Sequence, residues 1–227
     1  METPALHSPT VEDVMQAWRS QNAGVPPEQM AFSVRFQVQA IRALAEGQPV
    51  SAQRLAADLG MPINQVEAII GQLGASGVEV DGEGRLLGVV LTLNPTSHRF
   101  RVKGGDLYAW CALDTLFLPA YLEETAQVES TCPVTGETIR LTITPTGVTS
   151  YSPESTVVSI VDPSKVSCCS TRGPQSAVCS QMHFFRSHEA AETWQTDHSG
   201  VVICTVEDAY RIAQISIDMM SALDKIG

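Results

Sequence analysis

The sequence predicts an α+β fold: an N-terminal helical, winged-helix-like domain over residues 1–93, then a mixed, mainly antiparallel β-sheet domain with flanking helices over 94–227. Two patterns support this. Through the first third, apolar residues recur at helical spacing between recognisable caps. From His98 onward the chain breaks into short segments of period 2 separated by Pro/Gly turns. At 227 residues and 44% hydrophobic, the chain is long and apolar enough to bury a real core.

Thr10 with Asp13 reads as an N-cap with an acid at the third helical position, opening a helix with Val11, Val14, Met15 and Trp18 on its apolar face. Pro26-Pro27 interrupts it, and a longer helix follows with Phe32, Phe36, Ile41 and Leu44, ending near Gly47. Ser51 caps a helix carrying Leu55, Ala56 and Leu59 that stops at Gly60; Asn64 caps another carrying Val66, Ile69, Ile70 and Leu73. Val78 to Val80, the turn Asp81-Gly82-Glu83-Gly84 and Leu86 to Leu93 then form a two-stranded wing. The second helix of this pattern holds Glu67 and no Lys or Arg over 64–76, which opposes DNA reading.

Beyond the wing, His98 to Lys103 alternates with period 2, and Gly104-Gly105 turns the chain into an apolar helix from Leu107 to Leu122, with Asp106 as its cap. Further strands are expected at Ala126 to Thr131, Thr138 to Thr144, Thr156 to Val161, Val178 to Phe185 and Val201 to Val206. Two helices close the chain, near His188 to His198 and from Glu207 onward.

The net charge of −11 and pI near 4.8 exclude a phosphate-backbone binder and disfavour an anionic membrane surface. The longest apolar run is too short to span a bilayer, and residues 1–10 lack the pattern of a signal peptide, so cytoplasmic residence is expected. The six cysteines are then expected as reduced thiols.

Among them Cys111 stands out, in Trp110-Cys111-Ala112-Leu113-Asp114. On a helix, a thiol and a carboxylate three apart share a face, placing a soft nucleophile beside a proton carrier. The competing readings are a small buried cysteine in a core helix and a helix-surface acid. Cys179 lies four residues before His183; as a strand, Cys179, Gln181, His183 and Phe185 share one face. Cys and His four apart match metal-ligand spacing, but no companion pair completes a zinc site, and His183 equally suits a core position. Cys168 and Cys169 are a vicinal pair in a loop, Cys132 precedes a tight turn, and Cys204 reads as core strand. His7, His98, His188 and His198 form no cluster in sequence.

At Trp110 to Leu116 and at Cys179…His183-Phe184-Phe185, with Leu91-Thr92-Leu93, Pro95 and His98-Arg99-Phe100 around them, the chain resembles the organomercurial (alkylmercury) lyases from about residue 30 to Ala213. The resemblance implies protonolysis of a carbon–mercury bond, with Cys111, Asp114 and Cys179 as catalytic residues and as the groups that hold the Hg(II) product. Cys111 takes the organomercurial as thiolate with Asp114 accepting its proton, Cys179 adds a second thiolate, and Asp114 returns a proton to the departing carbon. It further implies no organic cofactor, release of Hg(II) by low-molecular-weight thiols or a mercuric reductase, and no nucleic-acid or membrane partner. Trp110 suits either an apolar wall beside the substrate or a plain core position. Related enzymes often carry a second cysteine where Ser180 stands, the Cys168-Cys169 pair is outside the pattern, and Cys132 matches a cysteine common at that turn. Two other classes remain: a soft-metal-responsive winged-helix regulator, and a thiol carrier built on Cys168 and Cys169.

Overall fold

A computed structural model describes residues 10–20, 24–103, 105–163 and 178–223. The fold is α+β. Four helices come first: α1 (Val11–Ser20), α2 (Pro27–Leu44), α3 (Ala52–Leu59) and α4 (Ile63–Gly77). The Thr10–Asp13 cap forms as expected: the Asp13 amide donates to Thr10 Oγ1 at 3.2 Å and the Thr10 amide to the Asp13 carboxylate at 2.9 Å. Pro27 opens α2, where its missing N–H costs nothing. Ser51 Oγ accepts from the Arg54 amide, and Gly60 ends α3 in the left-handed conformation. The expected Asn64 cap is a correction. Pro62 occupies the N-cap of α4 with extended backbone and α4 starts at Ile63, so Asn64 lies inside the helix.

The strands are β1 (Glu79–Val80), β2 (Leu86–Val89), β3 (Leu91–Thr92), β4 (His98–Val102), β5 (Gly105–Ala109), β6 (Ala126–Thr131), β7 (Thr138–Thr144), β8 (Gly147–Ser152), β9 (Val157–Val161), β10 (Phe184–Phe185) and β11 (Val201–Thr205). β1 to β8 form one sheet in the order β1-β2-β3-β5-β4-β6-β7-β8, and β10-β9-β11 form another. Every described ladder is antiparallel. The ladder passes from β3 to β5, so strands on either side of residue 93 share one sheet and one hydrophobic core. Gly88 permits close approach there: a Cβ would lie 2.5 Å from the Glu79 carboxylate and 2.7 Å from Thr92 Oγ1.

Three helices complete the chain: α5 (Ala112–Leu122), α6 (His188–Gln195) and α7 (Val206–Leu223). The apolar run from Leu107 is therefore not one helix. Its first part is β5, paired with β3 and β4, and α5 begins only after Cys111. Asp106 does not cap α5; it bonds Arg101 at 2.8 Å, and also Arg99, across the β4–β5 ladder. Ten residues of α5 are buried, and it packs against α7 and α2. No described helix is long and apolar enough to cross a membrane.

Candidate active site

The site is assembled at the amino end of α5. β5 delivers the chain to Trp110, whose amide donates to the Val90 carbonyl at 2.9 Å. Val90, a β-branched residue at φ 63°, holds that acceptor in a conformation such side chains rarely adopt. Cys111 follows in extended geometry as the N-cap of α5 rather than a residue within it. This corrects the expected same-face helical pair while preserving the contact, because N-cap and third position are the partners of a capping box. The Cys111 amide donates to Asp114 Oδ2 at 3.0 Å. A cysteine–aspartate pair thus stands where Ser/Thr and Glu/Gln usually serve.

Cys179 arrives from a distant segment. It opens a single 3-10 turn, Cys179–Gln181, followed by β10; the strand expected over Val178 to Phe185 exists only at Phe184–Phe185. The Cys–Gln–His–Phe face therefore does not form. The Met182 carbonyl accepts the Ala112 amide at 3.0 Å, clipping this segment onto the start of α5. The sulfurs of Cys111 and Cys179 and a carboxylate oxygen of Asp114 all lie within 4.8 Å of one another. Cys111 is fully buried, Asp114 is 7% exposed, and Cys179 is half-buried.

Burial pushes the Cys111 thiol well up, with its contact to Cys179 and the Asp114 charge acting in the same direction. Burial likewise pushes the Asp114 carboxyl well up, and the Cys179 charge adds to it; hydrogen bonds from the Cys111 thiol and amide offset part of this. The result is a buried cluster in which ionisation of the Cys111 thiol and of the Asp114 carboxyl is disfavoured, so that each holds a proton more tightly than in water. The two thiols are soft donors and the carboxyl beside them is a proton carrier, a set suited to chemistry on a soft metal ion.

A family model described as alkylmercury lyase matches residues 91–217. The alkylmercury lyase of Staphylococcus epidermidis is 42% identical over 174 residues, 77% of this chain and 77% of that protein. The chain belongs to the alkylmercury lyase family. The Bacillus cereus alkylmercury lyase is 39% identical over 204 residues, 90% of this chain and 89% of that protein. A solved structure of the mercury-bound form of MerB2 shares the fold: TM-score 0.69 at 23% identity, covering 92% of this chain and 99% of that one.

Within this member of the alkylmercury lyases, the structure brings together all three residues singled out from sequence. Trp110 is 5% exposed, and its indole N–H has no hydrogen-bond partner among the described residues. Cys204 is buried on β11, its thiol pushed up to about 12 by burial and the Asp208 charge. Burial raises the Cys132 thiol, but hydrogen bonds from Thr135, Val134 and Arg186 outweigh it. Cys168 and Cys169 lie outside the described residues.

Two of the histidines that form no cluster in sequence, His98 and His198, join His183 and Trp194 in space. His98 and His183 stack with ring centroids 6.0 Å apart, Trp194 meets His183 edge-on at 5.5 Å, and His198 stacks on Trp194 at 3.6 Å. Ser159, on β9, escaped the sequence reading altogether: its hydroxyl donates to the Gln181 carbonyl at 2.8 Å and accepts the His183 amide at 3.0 Å. No local pattern marks such a residue.

Proposed function

We propose that this chain cleaves the carbon–mercury bond of organomercurials by protonolysis, releasing a hydrocarbon and retaining Hg(II) between Cys111 and Cys179. The observation that carries this reading is the Cys111–Asp114–Cys179 cluster, closed within 4.8 Å at the buried end of α5. Mercury is substrate here, and no organic cofactor enters any step.

Cys111 sulfur displaces the ligand X of R–Hg–X, forming a sulfur–mercury bond. The thiol proton passes to Asp114, a stronger base than an ordinary carboxylate because burial raises it. Cys179 adds the second sulfur, losing its proton to solvent and X. Two thiolates increase electron density on mercury and on its attached carbon. Asp114 then protonates that carbon as the carbon–mercury bond breaks, in a site from which water is largely excluded. The balance is R–Hg–X plus two thiols giving R–H, HX and a mercuric bis-thiolate; mercury remains Hg(II) and nothing is oxidised. Low-molecular-weight thiols, or a mercuric reductase, then withdraw the ion in the reducing cytoplasm.

Residues 1–93 are assigned as a winged-helix-like unit that supports the catalytic part, 94–227, rather than reading DNA. Its α4 carries no Lys or Arg, which opposes phosphate contact.

Anaerobic incubation with phenylmercuric acetate and excess thiol, with headspace detection of benzene, tests the reaction. Benzene over many turnovers, abolished in Asp114→Ala, is the expected result. Tight mercury binding without benzene would overturn it in favour of a carrier or sensor.

A further inference from the structure

Cys179 rides on a turn too short to hold itself. Its internal backbone bonds are Gln181 N–H to the Val178 carbonyl and Met182 N–H to the Cys179 carbonyl, both 3.2 Å. Such 3-10 geometry is weak and is fixed from outside. One brace comes from His183, whose Nε2 lies 2.9 Å from the Ser180 carbonyl oxygen. A carbonyl only accepts, so the neutral ring must donate from Nε2. Nδ1 is left with its lone pair, buried and without a partner among the described residues. That orphaned acceptor is a net cost, so the ring is held in place by something other than its own hydrogen-bonding balance. His98 stacks on it, Phe185 and Trp194 meet it edge-on, and Ser159 Oγ accepts its backbone N–H.

We propose that His183 is a positioning residue for the second thiol: its Nε2–H, given to the Ser180 carbonyl, holds the Cys179 turn so that the sulfur stays within reach of Cys111 and Asp114. The inference rests on the reaction proposed above and deepens it. Cys111 and Asp114 are fixed by the α5 terminus itself and do not depend on this ring. Loss of the His183 donor should therefore leave capture by Cys111 intact and impair only what needs Cys179.

The test compares His183→Gln, which puts an amide N–H near the Nε2 position, with His183→Leu and with His183→Asn, whose shorter amide does not reach Ser180. Three quantities are read on the full chain: stoichiometric uptake of phenylmercuric acetate, single-turnover benzene release, and retention of HgCl2 against a competing dithiol. His183→Leu and His183→Asn are expected to slow benzene release at least about tenfold, the scale set by a sub-ångström to ångström misplacement. They should weaken HgCl2 retention toward that of Cys179→Ser with uptake unchanged, and His183→Gln should restore most of both. Wild-type behaviour in His183→Asn overturns the proposal; so does His183→Gln no better than His183→Asn, a comparison that stands even where His183→Leu fails to fold. Failure of the underlying reaction is visible separately, because Cys179→Ser would then release benzene normally.

Discussion

His98 offers a quantitative test of the structure around the site. It sits on β4 opposite Ala109, just ahead of Trp110-Cys111, and its ring backs His183. The side chain is 1% exposed, with Nδ1 2.6 Å from Ser130 Oγ. Burial, reinforced by the neighbouring His183, lowers its pKa from 6.5 to about 3. The native ring is therefore neutral. In the unfolded chain it titrates normally, so between those two values the unfolded state binds a proton that the native state refuses. Stability from this residue is full above 6.5 and declines as pH falls, by about 1.4 kcal/mol per pH unit. At pH 5 the loss is about 2 kcal/mol, and near pH 3 about 5 kcal/mol, a large share of a typical domain's stability. His98→Asn keeps an amide near the Nδ1 position for Ser130 but does not titrate. Denaturant unfolding of both proteins at pH 7.5 and pH 5.0 isolates the effect, because carboxylates elsewhere titrate in both and cancel. The variant should be less stable at pH 7.5, where it loses packing, and the gap should close by about 2 kcal/mol at pH 5.0. An unchanged gap would refute the buried neutral ring.

Cys111→Ser should abolish benzene release while leaving stability within about 1 kcal/mol, since serine is a preferred N-cap; substantial retained turnover would remove Cys111 from the mechanism. Asp114→Asn should likewise be inactive yet more stable than wild type at neutral pH. The raised Asp114 carboxyl is destabilising wherever the unfolded chain ionises first, so this advantage should grow as pH rises above about 4 and vanish below it, as read from melting temperatures across that range. Cys168→Ser with Cys169→Ser should leave turnover mostly intact, and a large loss in a well-folded double variant would bring those thiols into the reaction.

How legible each part was in the sequence follows from the range of the forces that build it. Cys111 and Asp114 could be paired from spacing because one turn of chain brings them together, and the misassigned detail was only which side of the helix boundary the thiol occupies. The boundary itself was obscured because Leu107 to Leu122 is mostly apolar, and the piece of β5 inside it, residues 107–109, is too short for its buried–half-buried–buried alternation to stand apart from a buried helix. Asp106 was mistaken for a cap because its partners, Arg99 and Arg101, lie across a ladder that sequence does not display. Cys179 shows the same limit at the site. Its turn depends on Ser159 from β9 and on the Met182–Ala112 clip, contacts made across long stretches of chain, and on the His183 ring, which His98, Phe185 and Trp194 pack around. The active cluster thus joins two unlike halves: one thiol and one acid fixed by local helix-capping chemistry, and one thiol fixed only by tertiary packing. A substitution that loosens packing around β9, β10 and α6 should therefore impair the second thiol before it affects the first, separating capture of the organomercurial from cleavage of its carbon–mercury bond.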